Sequence, residues 1–186
     1  MTGADSWAAL VGSRLCHDLV SPLGAIGNGV ELLQMVQSPG PEIALIDQAV
    51  QAAQARLRLY RLAFGAASAG QTVPPRDLTD ALTALAERIA VHATLPNQID
   101  RPLARRLMLA VLCAESALAW GGALTLTDAG LTAEAPRLRL DPGLWPALAQ
   151  GQPPQSPAPA TVHFALLAAA GPVRVETGET RLAISL

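Results

Sequence analysis

Aromatic residues are scarce, 3% of 186 positions, and the formal net charge is only −2. This mildly acidic balance gives no basic footprint, so nucleic acid is not an expected partner. Two cysteines, Cys16 and Cys113, are too few for a disulfide framework and point to a reduced, cytoplasmic setting. No stretch reaches about 18 uninterrupted apolar residues without a charge, which argues against a membrane span. The opening MTGADSWAAL has no basic start before an apolar run and does not read as a secretory signal. What the chain has is apolar bulk. Hydrophobic residues make up 51%, enough for one large domain or two small ones without disulfides.

Residues 7 to 37 carry Leu15, Leu19, Pro22, Ile26, Val30 and Leu33 at helical spacing, which predicts a first helix. Pro39, Gly40 and Pro41 stop it. Ile43, Ile46, Val50, Ala53, Leu57, Tyr60 and Phe64 then recur in alternating steps of three and four, a coiled-coil seam of about three heptads. Two helices joined by so short a turn make an antiparallel hairpin. A hairpin cannot enclose a core alone. The spacing therefore predicts a homodimer in which two hairpins form a four-helix bundle, with Ile43, Ile46, Val50, Leu57 and Phe64 in its seam. Packing of the hairpin on the rest of its own chain is the alternative.

AGQTVPPRD reads as a linker between a helical part, 1–70, and a second part, 71–186. DLTDALTALAERIA predicts an amphipathic helix through Leu78, Leu82, Leu85 and Ile89, opened by Asp77 as its N-cap. RPLARRLMLAVLCAESALAW predicts a more buried helix, ended by Gly121 and Gly122. ALTLT and LTAEAPRLRL read as strands around the turn DAG. GQPPQSPAPA is a Pro-rich loop, TVHFALLAAA a third helix closed by Gly171, and VRVET with RLAISL a β-hairpin. The second part is then α+β, with helices on one face of a small sheet. His92 and His163 lack metal-ligand spacing and read as structural, so no metal site is expected. Trp7, Trp120 and Trp145 read as packing residues.

The chemistry lies in SRLCHDLVSPLGAIGNGVELL, residues 13–33. At about 100° per residue, His17 points away from the apolar stripe, with Arg14, Ser21, Gly24, Asn28 and Glu31 beside it. An exposed imidazole is a nucleophile near neutral pH. Asp18 is placed to accept a hydrogen bond from one ring nitrogen and leave the other free to attack. Arg14 and Ser21, one turn away, are placed to hold phosphate oxygens. Read plainly, they are a solvated charge and a hydroxyl bonded to its own helix. Pro22 removes the N–H that would bond to the carbonyl of Asp18. Gly24, Gly27 and Gly29 each cost helix stability, about 1 kcal/mol relative to Ala. Close approach of a partner protein at Gly24, or helix packing at Gly27 and Gly29, would offset that. Asn28 lies about 16 Å beyond His17 on the same face, with Glu31 at the edge, so Gly24, Asn28 and Glu31 are the expected docking residues.

CHDLVSPLGAI resembles the phosphoacceptor box of two-component sensor histidine kinases, which reads His-Glu-Leu-x-x-Pro-Leu. His17, Asp18, Leu19, Ser21, Pro22 and Leu23 fall in register, with Asp18 in place of the usual Glu. LCHDLVSPLGAIGNGVELL more closely resembles the ChpT-type histidine phosphotransferases of alphaproteobacteria, dimers with a kinase-like hairpin and a degenerate kinase-like ATPase domain. The resemblance implies a phosphorelay. His17, with Asp18 beside it, would take a phosphoryl group from the receiver domain of a hybrid sensor kinase and pass it to receivers of response regulators. Mg²⁺ would come with the receiver, and the chain would have no cofactor of its own.

The same resemblance implies a C-terminal α/β sandwich of the histidine-kinase ATPase kind with its nucleotide site lost. LMLAVLCAESALAWGGALTL occupies the helix that carries two asparagines in kinases, and Cys113 and Ala117 fall at those positions. No Asp-x-Gly-x-Gly follows, no Gly-x-Gly-Leu precedes the tail, and the ATP lid is replaced by DPGLWPALAQGQPPQSPAPA. ATP binding is not expected. Two other readings stand beside the relay: an ATP-dependent histidine kinase with an unfamiliar nucleotide site, and a non-catalytic dimeric adaptor that docks receivers.

Overall fold

The computed structural model describes residues 3–36, 40–154 and 158–186, with side chains from residue 9 onward. Pro39, the side chain of Trp7 and residues 155–157 of the Pro-rich loop lie outside the described residues. Two long helices come first, α1 (Gly3–Val36) and α2 (Pro41–Phe64). Helix α1 continues unbroken through Pro22. Helix α2 opens with Pro41 in its first turn and Glu42 beside it, and has Arg61 in its last turn. That order suits the fixed φ of proline and the helix dipole. The helices run antiparallel. A Cβ on Gly12 would meet Phe64, one on Gly27 would meet Gln54 and Val50, and Gln34 donates to Asp47 at 3.3 Å.

The face of α1 that packs on α2 is not the stripe of large apolar residues. Ala9, Cys16 and Val30 are buried, flanked by half-buried Gly12, Ser13, Leu23 and Gly27. Leu15, Leu19, Pro22, Ile26 and Leu33 stay exposed. Small side chains let the two backbones approach, and the large ones sit about 100° round the helix. The seam residues of α2 divide as well. Val50 and Leu57 are buried within the single chain, against α1. Phe64 packs on the C-terminal core, Ile43 is half-buried and Ile46 is exposed.

The remainder is a lobe of mixed α+β structure. Its main sheet has five strands in the order β2-β4-β5-β7-β6: β2 (Ile89–Thr94), β4 (Gly122–Thr127), β5 (Gly130–Glu134), β6 (Arg174–Thr177) and β7 (Arg181–Ser185). Only β2 and β4 pair in parallel, with Ile89 opposite Gly122. Two short strands, β1 (Thr72–Val73) and β3 (Ile99–Asp100), pair apart from it. The helices are α3 (Pro75–Leu82), α4 (Arg101–Ala117), α5 (Leu144–Ala149) and α6 (Val162–Ala169). Strand alternation turns Leu124, Leu126, Leu131, Ala133, Leu182 and Ile184 into a core shared with Leu107, Met108 and Phe164. Gly130 closes the β4–β5 turn at φ +143°, where a Cβ would strike the Ile184 carbonyl.

Three sequence expectations for the lobe need correction. The helix expected over DLTDALTALAERIA stops at Leu82, a 3-10 turn covers Thr83–Leu85, and Ile89 opens β2. Asp77 is inside α3 rather than its cap: its amide donates to the Pro74 carbonyl, and Pro74 holds the capping position. The strand expected over LTAEAPRLRL ends at Glu134. The segment replacing the ATP lid carries α5, whose Trp145 is buried and packs edge-on against Phe164 with ring centres 5.0 Å apart.

The hairpin is rooted in this lobe. Leu59, Leu62 and Ala63 belong to the lobe core. Arg101 donates to the carbonyls of Leu62 and Arg61 at 2.9 and 3.0 Å, and Arg105 to that of Ala63 at 3.2 Å. These guanidiniums satisfy carbonyls that a helix C-terminus leaves free. Burial, with Arg105 and Arg61 nearby, lowers the Arg101 pKa to about 10. Ser13 Oγ accepts from the Ala66 amide at 2.9 Å, tying α1 to the same place. Packing on its own chain, the alternative to a bundle, is thus realised at one end of α2. The segment Ala9–Val36 of α1 is long and apolar enough to cross a membrane, by length and composition.

Candidate functional site

His17 lies on the outer side of α1 with its side chain 81% exposed. Its Nδ1 is 3.2 Å from Asp18 Oδ1, and Arg14 Nε donates to Asp18 Oδ2 at 2.9 Å. Adjacent helix residues diverge, yet these two side chains come within hydrogen-bond reach. The hydrogen bond from His17, then the charge of Arg14, hold the Asp18 carboxyl below its usual pKa. An ionised Asp18 fixes Nδ1 as the protonated nitrogen, and Nε2 is left to solvent with its lone pair. The arrangement is a chain of three side chains, guanidinium to carboxylate to imidazole.

The neighbours expected from the sequence are on the same side. Ser21, Asn28 and Glu31 are exposed. A Cβ on Gly24 would touch nothing within 4 Å, so nothing in the single chain requires glycine there. Gly27 is different: its added Cβ would lie 3.1 Å from Gln54 Nε2 and 3.5 Å from Val50 Cγ1, a helix-packing glycine. Gly29, expected to pack in the same way, faces open space.

Beside this face lies a groove of about 270 Å³ between the two helices, lined by Val20, Leu23, Gly24, Gln54, Arg58 and Arg61. The two arginines come from α2, and sequence reasoning missed them. Their signal was the antiparallel alignment itself, which brings the end of α2 level with His17. Cys16, next to His17, is buried, and burial raises its thiol pKa. It is a packing residue.

On α4, Cys113 and Ala117 are completely buried in the lobe core. Around them, on the C-terminal half of that helix, the residues that reach open space are Leu112, Glu115 and Ser116. His92, read as structural, is exposed on β2. Trp120, read as a packing residue, is 57% exposed and carries the Arg137 guanidinium 3.7 Å above its ring. Among the described residues, no three His, Cys, Asp or Glu side chains come close enough to hold a metal.

Comparison with known proteins agrees with this architecture. The whole chain superposes on a solved structure, "1.7 Angstrom Structure of a Bacterial Phosphotransferase", with a TM-score of 0.65 and 27% identity, covering 100% of this chain and 97% of that one. In fold it is thus like a bacterial phosphotransferase. The model of the histidine phosphotransferase C-terminal domain matches residues 75–171, just over half of the chain and wholly within the lobe. The chain belongs to this family, and it is of the ChpT type. The protein phosphotransferase ChpT of Brucella abortus (strain 2308) is 46% identical over 76 residues, 40% of this chain. The match spans 36% of that relative's length. A looser likeness, at a TM-score of 0.47 and 16% identity over 93% of this chain and 94% of the other, is to the histidine kinase domain of a blue-light activated histidine kinase from Erythrobacter litoralis EL346.

Proposed function

We propose that this chain is a phosphorelay intermediate in a two-component system. His17 takes a phosphoryl group from the aspartyl phosphate of a hybrid sensor kinase's receiver domain and gives it to the aspartate of a response regulator's receiver. The observation that carries this reading is the solvent-facing Nε2 of an imidazole whose Nδ1 is tied to Asp18. The Nε2 lone pair attacks phosphorus. A P–N bond forms as the P–O bond to the receiver's carboxylate breaks, and the carboxylate leaves with the electron pair. The Nδ1 proton stays on the ring, where Asp18 stabilises the developing positive charge. Transfer to the second receiver is the same step reversed.

The receiver supplies Mg²⁺ and much of the charge stabilisation, with Arg14 and Ser21 flanking the phosphoryl group. Gly24, Asn28 and Glu31 form the docking face. The chain needs no cofactor of its own and does not use ATP. The burial of Cys113 and Ala117 supports that, because neither reaches solvent from α4. In this reading residues 1–70 serve dimerisation and phosphoryl acceptance, and 71–186 form the degenerate ATPase-like domain.

Two copies would complete a four-helix bundle by burying Leu15, Leu19, Ile26 and Leu33 of α1 with Ile46 of α2, all now exposed. That explains the apolar surface of α1 better than a bilayer does. Helix α2 packs along it and would carry Asp47, Arg56, Arg58 and Arg61 into the hydrocarbon. We accordingly place the homodimer in the cytoplasm, bound to neither membrane nor nucleic acid.

The test mixes the protein with a phosphorylated receiver carrying labelled phosphate. An acid-labile, base-stable label should appear on wild type and be absent from His17→Ala, whose melting should be unchanged because the side chain is exposed. Label persisting on that variant would move the site elsewhere. Receiver binding without transfer in wild type would instead make the chain an adaptor. Labelling of His17 by Mg-ATP alone would make it a kinase.

A further inference from the structure

A cavity of about 770 Å³ lies where α2 meets the lobe, away from the His17 face and unused by the relay. Its size is that of sites that enclose a small organic molecule. Tyr60 and Phe64 of α2 line one side, with rings tilted together at 5.4 Å between centres. Leu112 of α4 and Val162 at the start of α6 supply further apolar lining. The polar lining is basic: Arg56, Arg88 and Arg139 face one carboxylate, Glu115.

Glu115 is already committed. It takes a two-pronged pair from Arg56 at 2.8 Å on each oxygen, and Arg88 stands 3.8 Å from it. Arg56 and Arg88 each make one further bond, to the carbonyls of Ala84 and Ala119 at 3.3 and 3.1 Å, which does not exhaust the donors of Arg88. Arg139 has no side-chain partner among the described residues, and His163 Nε2 is buried without one. The positive end of the α6 dipole points to the same place. Three guanidiniums against one carboxylate leave an excess of about two positive charges, the complement of a phosphate monoester near pH 7. The chain's basic residues are all arginine, with no lysine, and the planar fork suits phosphate oxygens.

We propose that this cavity binds a phosphate monoester carrying a flat apolar body, the chemical class of nucleoside monophosphates and aryl phosphates. The phosphate sits between Arg139 and Arg88 at the start of α6, and the flat body lies against Tyr60, Phe64 and Leu112. The inference is independent of the relay, since neither His17 nor its docking face takes part. It also differs from a kinase site. A Mg-triphosphate would bring a metal for which this lining offers Glu115 alone, already paired with Arg56.

The probes are adenosine monophosphate, 1-naphthyl phosphate and inorganic phosphate, titrated calorimetrically into the full chain without metal. Both monoesters should bind at about 1 mM or tighter, and inorganic phosphate about tenfold more weakly. Arg139→Gln removes an exposed, unpaired charge and should fold normally, while weakening the monoesters about tenfold. Arg76→Gln, which removes the same charge from exposed α3, should leave binding unchanged. His17→Ala should bind like wild type, so failure here is separable from failure of the relay. The proposal falls if neither monoester binds, if Arg139→Gln binds like wild type, or if Arg76→Gln weakens binding as much. Equal affinity for inorganic phosphate would remove the flat-body half of it. In a separate titration with Mg-ATP, binding tighter than that of either monoester would overturn the charge match.

Discussion

The hairpin and the lobe solve the burial problem in opposite ways. The lobe folds its apolar residues around one continuous core, in which Leu107, Met108, Leu109, Leu124, Leu126 and Phe164 are fully enclosed. The hairpin leaves many of its own in water. Among the described residues, every exposed large hydrophobic side chain except Trp120 lies on α1 or α2, from Leu10 to Tyr60. Contiguous apolar surface of this kind marks an interface. One region is finished within a single chain, and in the proposed bundle the other is half of an assembly.

The comparison breaks first at the lobe. Phe164→Ala deletes a ring that is completely buried and packed edge-on to Trp145. It should cost about 3–5 kcal/mol in denaturant unfolding, a large part of the stability of a domain this size. A loss under about 1 kcal/mol would mean that the lobe core is loosely packed.

Next comes the bundle. Leu19→Glu places a carboxylate on the exposed stripe of α1. It should weaken dimerisation about a hundredfold while the lobe melts as before, since Leu19 is 50% exposed in one chain and only the assembly would bury the charge. Light scattering across a dilution series checks this. A wild type that is monomeric at micromolar concentration would sink the bundle. Leu57→Glu is the poorer probe, because Leu57 is already buried against α1 and its loss would unsettle the hairpin itself.

Docking should respond more mildly. Gly24→Leu fills open space beside the groove holding Arg58 and Arg61. Receiver affinity should fall about tenfold, with the maximal transfer rate less affected. A titration showing unchanged binding would put the receiver elsewhere. Asn28→Arg should do the same to a smaller degree.

The smallest expected effect is a pH slope. Burial lowers the His163 pKa, with Glu115 opposing it weakly. Arg56, Arg88 and Arg139 line the same cavity. The unfolded state therefore binds a proton that the folded state resists. This contribution is intact above the unfolded value of about 6.5 and is lost as pH falls below it toward the folded value. Melting temperature should drop across that window, and His163→Gln should flatten the drop. An equal slope in both proteins would assign it to other groups.

Much of this was legible in the sequence, and the failures have physical causes. The terminal β-hairpin, α4 and α6 could be read because local pattern and glycine punctuation agree. Strand β2 could not. Leu78, Leu82, Leu85 and Ile89 keep a helical beat, but Ile89 is claimed by a parallel pairing with Gly122, a partner no local window contains. The inner face of α1 was missed for another reason. It is made of Ala9, Gly12, Ser13, Cys16 and Gly27, which a search for large apolar residues passes over. The stripe it did find is, apart from Val30, the uncovered one. Around His17 the reading rested on motif and helical angle, both local, whereas Arg58 and Arg61 came into view only once α2 was laid alongside. The Arg56–Glu115 pair joins residues 59 apart and had no local sign at all.

One consequence of the arginine-held root of α2 concerns mechanics. A hairpin clamped at one end behaves as a cantilever, with deflection growing along its length. The clamp is Arg101 and Arg105 on the last carbonyls of α2, with Ser13 on Ala66. His17 stands four residues from Ser13, about 6 Å along an axis that runs on for roughly 35 Å to Val36. His17, the proposed nucleophile, is therefore mounted close to the fixed support, where thermal sway is least. Bending of the helices further out leaves the His17 imidazole nearly in place, which suits a group that would have to meet a phosphoryl donor in line.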